Sequence, residues 1–167
     1  MKKILRYTII SVALLICIIF TLMYIEIDNQ YKNIINLEIT DKYITQAQQD
    51  IINKGDNIET RLNLASAYLT AGEYQKALEI YSNISRNDSR GYWGQAIVYN
   101  QMHDYRNVLD SVDKLLENPF TKNMSTKDIH YQYQIVYKVK AQAHWKLHQY
   151  IKWAKVYKKT FYMYAKP

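Results

Sequence analysis

Between Arg6 and Glu26 the chain runs for nineteen residues, YTIISVALLICIIFTLMYI, without a charge. As a helix this stretch is about 28 Å long, enough to cross the hydrocarbon core of a bilayer. A removable signal peptide also begins with a short basic stretch and an apolar run, but that run is usually about 7–15 residues long. Here the run is longer, and no pair of small residues precedes Glu26 to serve a peptidase. Residues 1–25 therefore read as a cytoplasmic start and a retained transmembrane helix, a signal anchor. Ile16 stands where lipid attachment at Cys17 would need a small residue, so Cys17 reads as an apolar side chain of that helix. As the single cysteine it forms no internal disulfide.

Orientation follows from the flanks. Lys2, Lys3 and Arg6 precede the run, while Lys32 and Lys42 are the nearby cations after it. Lysine and arginine decide orientation and acids add little, so the start stays in the cytoplasm and residues 26–167 are exported, into a periplasm or an equivalent space. The richness in Lys, Ile, Asn and Tyr reads as AT-biased bacterial coding, which points to a bacterial cell envelope. The sequons at Asn83, Asn87 and Asn123 matter only in a eukaryotic secretory pathway.

Four glycines and two prolines in 167 residues are too few for a barrel or sandwich with many tight turns, so the exported part is expected to be all-α. Its length suits one domain behind the anchor. Charge is distributed in blocks. Residues 1–25 carry +3, residues 26–121 carry 9 basic and 14 acidic side chains, and residues 122–167 carry ten lysines against Asp128, or +9. Such asymmetry suggests an electrostatic partner for the basic end.

A period is visible in the middle of the chain. NLASAYLTAGEYQKALEIYSNI, residues 63–84, spaces Leu64, Ala65 and Tyr68 on one helical face, then Gly72 at a turn, then Tyr74, Ala77, Tyr81 and Ile84 on a second helix. Gly72 permits the left-handed backbone that ends the first helix, and Ala77 allows close approach of the second. Thirty-one residues after Tyr74, Tyr105 opens a second copy, with Ala96, Tyr99, Val108, Val112 and Leu115 in equivalent places and His103 in that of Gly72. Asn118-Pro119-Phe120 closes it. A third copy begins with a Ser125 cap and Asp128, and continues through Ile129, Tyr133, Val136, Lys140, Ala143 and Leu147. His148 lies at its turn, and Tyr150, Ala154, Tyr157 and Phe161 follow on the closing helix.

The order of these residues resembles the tetratricopeptide repeat. The resemblance covers residues 58–162, in repeats of about 58–88, 89–120 and 125–162 within a domain of residues 58–167. It implies a short α-solenoid of helical hairpins behind the transmembrane helix. Three copies are roughly the minimum for a stable stack, and a basic, atypical last helix suits a terminal cap. Residues 26–57 form a juxtamembrane segment and a lead-in helix, capped by Thr40 or Asp41, carrying Ile44, Ala47, Ile51 and Ile52 on one side and ending at Gly55. Residues 26–39 either continue the membrane helix or dock on the repeats.

The family binds ligands on the concave side, formed by the first helix of each repeat. Its ligand-facing places fall on Asn63 and Ser66, with Glu59, Leu62, Leu69 and Thr70; on Arg90, Trp93, Ile97 and Asn100, with Gly94 and Gln101; and on Lys138, Gln142 and Trp145, with Val139 and Lys146. Trp93 and Trp145 are the aromatic anchors, unless Trp93 packs between repeats. The basic clamp by which some members hold chaperone carboxyl termini is not reproduced, because Leu62 and Gly94 replace two of its residues. A second surface is the lysine face of the closing helix, Lys152, Lys155, Lys159 and Lys166.

No Gly-rich phosphate loop, Ser-x-x-Lys, His-Glu-x-x-His or paired-cysteine motif occurs, so no catalytic residue, metal or cofactor is expected. His144 and His148 have the i, i+4 spacing of zinc ligands without an evident third. Asp110 with Asp113 and Glu73 with Glu79 read as solvated carboxylates. The expected function is a non-catalytic, membrane-anchored scaffold or adaptor that binds another protein through the concave surface, as a component of an envelope assembly, with lipid contacting the N-terminal helix. The alternative is a basic module binding nucleic acid or an anionic polymer through its lysine-rich last helix; export argues against nucleic acid.

Overall fold

The computed structural model describes residues 2–119 and 126–164, without the side chains of residues 2–13, 126, 127, 130 and 160–164. Among the described residues there are seven α-helices and no strand: α1 (Lys2–Lys54), α2 (Ile58–Thr70), α3 (Tyr74–Ser85), α4 (Arg90–Gln101), α5 (Tyr105–Glu117), α6 (Thr126–Lys146) and α7 (Tyr150–Tyr164). The expected cap at Ser125 and the residues Phe120, Asn123 and Lys166 lie outside the described residues, as does the Phe161 side chain. The chain divides into two compact units, Met1–Lys42 and Tyr43–Pro167.

The first unit is helical throughout its described length. Its large apolar side chains from Leu14 to Ile39 are exposed. The hydroxyl of Thr21 donates to the backbone carbonyls of Cys17, at 3.0 Å, and Ile18, at 2.7 Å, so this polar group is satisfied inside the helix. Thr40 and Asp41 do not start a helix. No glycine or proline interrupts α1, and the Thr40 hydroxyl donates to the carbonyl of Asn36, the back-bond of an internal helical residue. Residues 26–39 thus continue the helix. Asp28 and Lys32 pair at 2.6 Å, one turn apart.

In the second unit, Gly55 takes a positive φ of 85° directly after α1. Asn57 then caps α2: its side chain accepts from the amides of Glu59 and Thr60, and the Thr60 hydroxyl accepts from the Asn57 amide. Of the expected lead-in face, Ala47 is buried and Ile44 and Ile51 are half-buried, whereas Ile52 is exposed.

Three junctions share one geometry. Gly72, His103 and His148 have φ of 75°, 59° and 57°. At each, the amide of that residue donates to the carbonyl three back, and the next amide donates to the carbonyl five back: Gly72 to Leu69 and Glu73 to Tyr68, His103 to Asn100 and Asp104 to Tyr99, His148 to Trp145 and Gln149 to His144. These bonds satisfy the orphan carbonyls of α2, α4 and α6. Each junction leads into a tyrosine, Tyr74, Tyr105 or Tyr150. His103 and His148 also bring Nδ1 to the hydroxyl of that tyrosine, at 3.0 and 2.9 Å.

Counted from those tyrosines, burial repeats. Ala65, Ala96 and Ala141 are buried nine residues before, and Ala67, Val98 and Ala143 seven before. Ala77, Tyr81 and Ile84 of α3 are buried, as are Val108, Val112 and Leu115 of α5. Each helix from α2 to α7 packs on the next. One core cluster joins Ala65, Ala77, Tyr81, Ile84 and Val98, with Tyr68 and Tyr74 against it; a second joins Ala96, Val108, Val112, Leu115, Val136 and Ala143, with Tyr99 and Tyr105 against it. α7 departs from this pattern. Ala154 and Tyr157, expected to be packed, are exposed, because no described helix covers that face.

Candidate binding surface

The groove residues expected from the sequence do not form one uniform surface. Asn63 and Ser66 are exposed on α2 and, with Thr70, face Tyr43, Gln46 and Asp50 of α1 across a depression of about 470 Å³. Its lining mixes these side chains with the buried Ala47 and Ala67. The depression lies entirely within the second unit.

Arg90 is already engaged. Its guanidinium donates to Glu59 Oε1 of α2 at 2.6 Å and to Asp88 Oδ2 at 2.8 Å, with Nε 3.0 Å from Asp88 Oδ1. Asp88 above all, and then Glu59, hold the guanidinium even further above neutrality than usual. The ion set ties the start of α4 to α2 and leaves Arg90 poorly placed to grip a ligand carboxylate.

Trp93 is half-buried and packs, with Val139, against the core shared by α4, α5 and α6. Of the two roles read for it, the geometry is that of packing between neighbouring helices. Gly94 does not face the groove. It is buried against α3, where a β-carbon would enter the Tyr81 ring, and at Gly91 a β-carbon would come closer than 3.0 Å to the backbone of Tyr81 and Ser85. The two glycines make α4 flat where α3 crosses it, and burial there pushes the Tyr81 phenol up. Sequence reasoning did not find this use of Gly91 and Gly94; their i, i+3 spacing opposite a buried tyrosine was the available signal.

Ile97 and Asn100 are half-buried on α4, and Lys138, Gln142 and Trp145 are exposed on α6. Trp145 belongs to a ring cluster. It meets Tyr150 at 5.0 Å and Trp153 at 5.1 Å, both edge-on, and Trp153 stacks on Tyr157 at 5.4 Å.

On α7, Lys152, Lys155 and Lys159 are exposed, but they are not equivalent. Lys159 donates to the Tyr137 hydroxyl at 2.7 Å and lies 4.5 Å from that ring's centre, so it clasps α6. No described carboxylate pairs with Lys152 or Lys155.

His144 and His148 do not converge. His144 is buried with Nδ1 2.8 Å from Gln149 Oε1, and His148 sits in the turn against Tyr150. Among the described residues no three His, Cys, Asp or Glu side chains come together as a metal site would require. Asp110 pairs with Lys114 at 2.7 Å, Asp113 with Lys140, and Glu73 with Lys76.

No protein-family model matches this chain, and no curated protein matches it either.

Proposed function

We propose that the chain is a membrane-anchored, non-catalytic scaffold in which α2–α7 form three hairpins of the tetratricopeptide type, exported from the cytoplasm, with a groove that holds another polypeptide. The observation that carries this reading is the thrice-repeated junction. The same left-handed residue, the same two capping bonds, the same following tyrosine and the same buried small residues recur in α2–α3, α4–α5 and α6–α7. A chain that repeats one supersecondary unit buries its faces by stacking those units, and stacking generates an extended concave side.

The anchor rests on α1. Its stretch Leu14–Lys54 contains an apolar window of mean hydropathy 1.3, none of it buried. Each large apolar side chain gains about 1.5–3 kcal/mol on leaving water, so a row of them needs an apolar phase. A bilayer supplies one, and Lys2, Lys3 and Arg6 favour a cytoplasmic amino terminus.

The groove reading narrows to the depression between α1 and α2, because Arg90 and Trp93 are spent on structure while Asn63 and Ser66 remain open. A peptide laid there would meet Asn63, Ser66 and Thr70 on one wall and Gln46 and Asp50 on the other. A photo-crosslinker replacing Ser66 in intact cells tests this. The expected result is one defined polypeptide captured from position 66 and not from exposed Glu79 on α3. Capture of nothing, or of the same products from both positions, would refute it.

A further inference from the structure

In α3 and α5 the residues three, seven and ten after the opening position are buried where each helix packs on the helices before and after it. In α7 the first two of these places are Trp153 and Tyr157, and Tyr157 is 56% exposed where its counterparts Tyr81 and Val112 are 6% and 0% exposed. The chemistry changes with the exposure. Ala77 and Val108 give way to Trp153, which brings an indole N–H to a place that is dry and aliphatic in the other two helices. Trp145 (49% exposed) and Tyr150 extend the same aromatic surface, and Ile151 (77% exposed) lies about 100° round the helix from Tyr150. On the helical wheel, Ala154, Lys158 and Ile151 form the middle of the exposed face, with Tyr150 and Tyr157 on one flank and Lys155, then Lys159 and Lys152, on the other. No acidic residue occurs after Asp128.

We propose that α7 is an interfacial helix whose aromatic edge and lysine flank dock on the surface of an anionic lipid bilayer. Aromatic side chains with an apolar body and a polar edge sit at the boundary between headgroups and acyl chains, and lysines on the other flank of the same exposed face reach out to lipid phosphates. Three other occupants fit less well. A second copy paired face to face would set lysines against lysines. A second copy offering its acidic side has few carboxylates to give, because seven of the ten acids among residues 43–117 are already in ion pairs within the chain. Single-stranded nucleic acid needs open ring faces for its bases, yet Trp145 meets its neighbours edge-on and Trp153 and Tyr157 are stacked on each other. The inference is independent of what the α1–α2 depression holds.

The test uses the full chain with Trp93→Phe, which leaves Trp145 and Trp153 as the only indoles. It is reconstituted in vesicles of phosphatidylcholine alone or mixed with phosphatidylglycerol, with brominated acyl chains as the quencher. Indole emission is expected to fall only in the vesicles containing phosphatidylglycerol, and to recover in about 1 M NaCl, where charges are screened within about 3 Å. Lys152→Gln with Lys155→Gln is expected to lower the docked-to-free ratio about thirtyfold and abolish the quenching. Equal emission in the two lipids, or quenching that survives high salt or the double substitution, overturns the proposal. A shift of the same emission by a single-stranded oligonucleotide, with none from phosphatidylglycerol, assigns the surface to nucleic acid and also overturns it.

Discussion

Two glycines in this chain do opposite things, and alanine at each separates them. Gly72 has φ of 75° and open space around its missing side chain, so Gly72→Ala meets only the backbone penalty of the left-handed region, about 1–2 kcal/mol. Gly94 is helical and would gain about 1 kcal/mol of helix propensity as alanine, yet its β-carbon would enter the Tyr81 ring. Overpacking of this kind costs about 1–3 kcal/mol, so Gly94→Ala is expected to destabilise as well. Chemical unfolding followed by far-ultraviolet circular dichroism, which reports on helix throughout the chain, measures both. A Gly94→Ala chain as stable as the parent would mean that α3 and α4 do not approach as described. The role of Gly72 was readable from its place between two periodic stretches. That of Gly94 had only its i, i+3 spacing with Gly91 to mark it, because its partner Tyr81 lies on another helix.

The helices themselves were legible wherever their signals are local. The starts of α2, α3 and α5 and the ends of α2 and α4 follow from periodicity, a turn residue and a tyrosine, and the junction bonds span five residues at most. The cap of α2 is equally local. Asn57→Ala removes a side chain that accepts from two amides, and it is expected to cost about 1 kcal/mol, read as a lowered unfolding midpoint. Asn57→Asp, which keeps an acceptor at the helix start, should restore most of it. The break expected near Thr40 failed for a physical reason. A threonine followed by aspartate is a capping signal only if the preceding backbone leaves the helix, and with no glycine or proline before Gly55, Thr40 instead returns its hydroxyl to Asn36. The inward face expected for Ala154 and Tyr157 failed differently: the pattern was right for a helix with a successor, and no described helix succeeds α7.

At the scale of the whole chain, the two membrane contacts proposed here differ in kind and separate by salt. Insertion of the N-terminal helix is apolar and insensitive to ionic strength, while docking of α7 is electrostatic in part. The full chain is expected to stay with membranes through a wash in about 1 M NaCl, where screening acts over about 3 Å. A chain lacking residues 2–25 should remain bound to anionic membranes at low salt and be released by the same wash. Sedimentation followed by immunodetection reads both, and release of the full chain by salt would dispose of the anchor.

From its order of residues alone this protein was determined to be helical, to carry one stretch long and apolar enough for a bilayer, and to turn at Gly72, His103 and His148. These properties depend on neighbours within about one turn of helix, and such neighbours are written in the sequence. Only the tertiary structure decided which polar and aromatic groups remain available to a partner. Arg90 is taken by Glu59, thirty-one residues away, and Lys159 by Tyr137, twenty-two away. Trp93 is taken by the core of three helices, while Asn63, Ser66 and Lys152 are left open. Availability depends on what else packs nearby, and in a chain of stacked helices the nearest packing partner belongs to another helix.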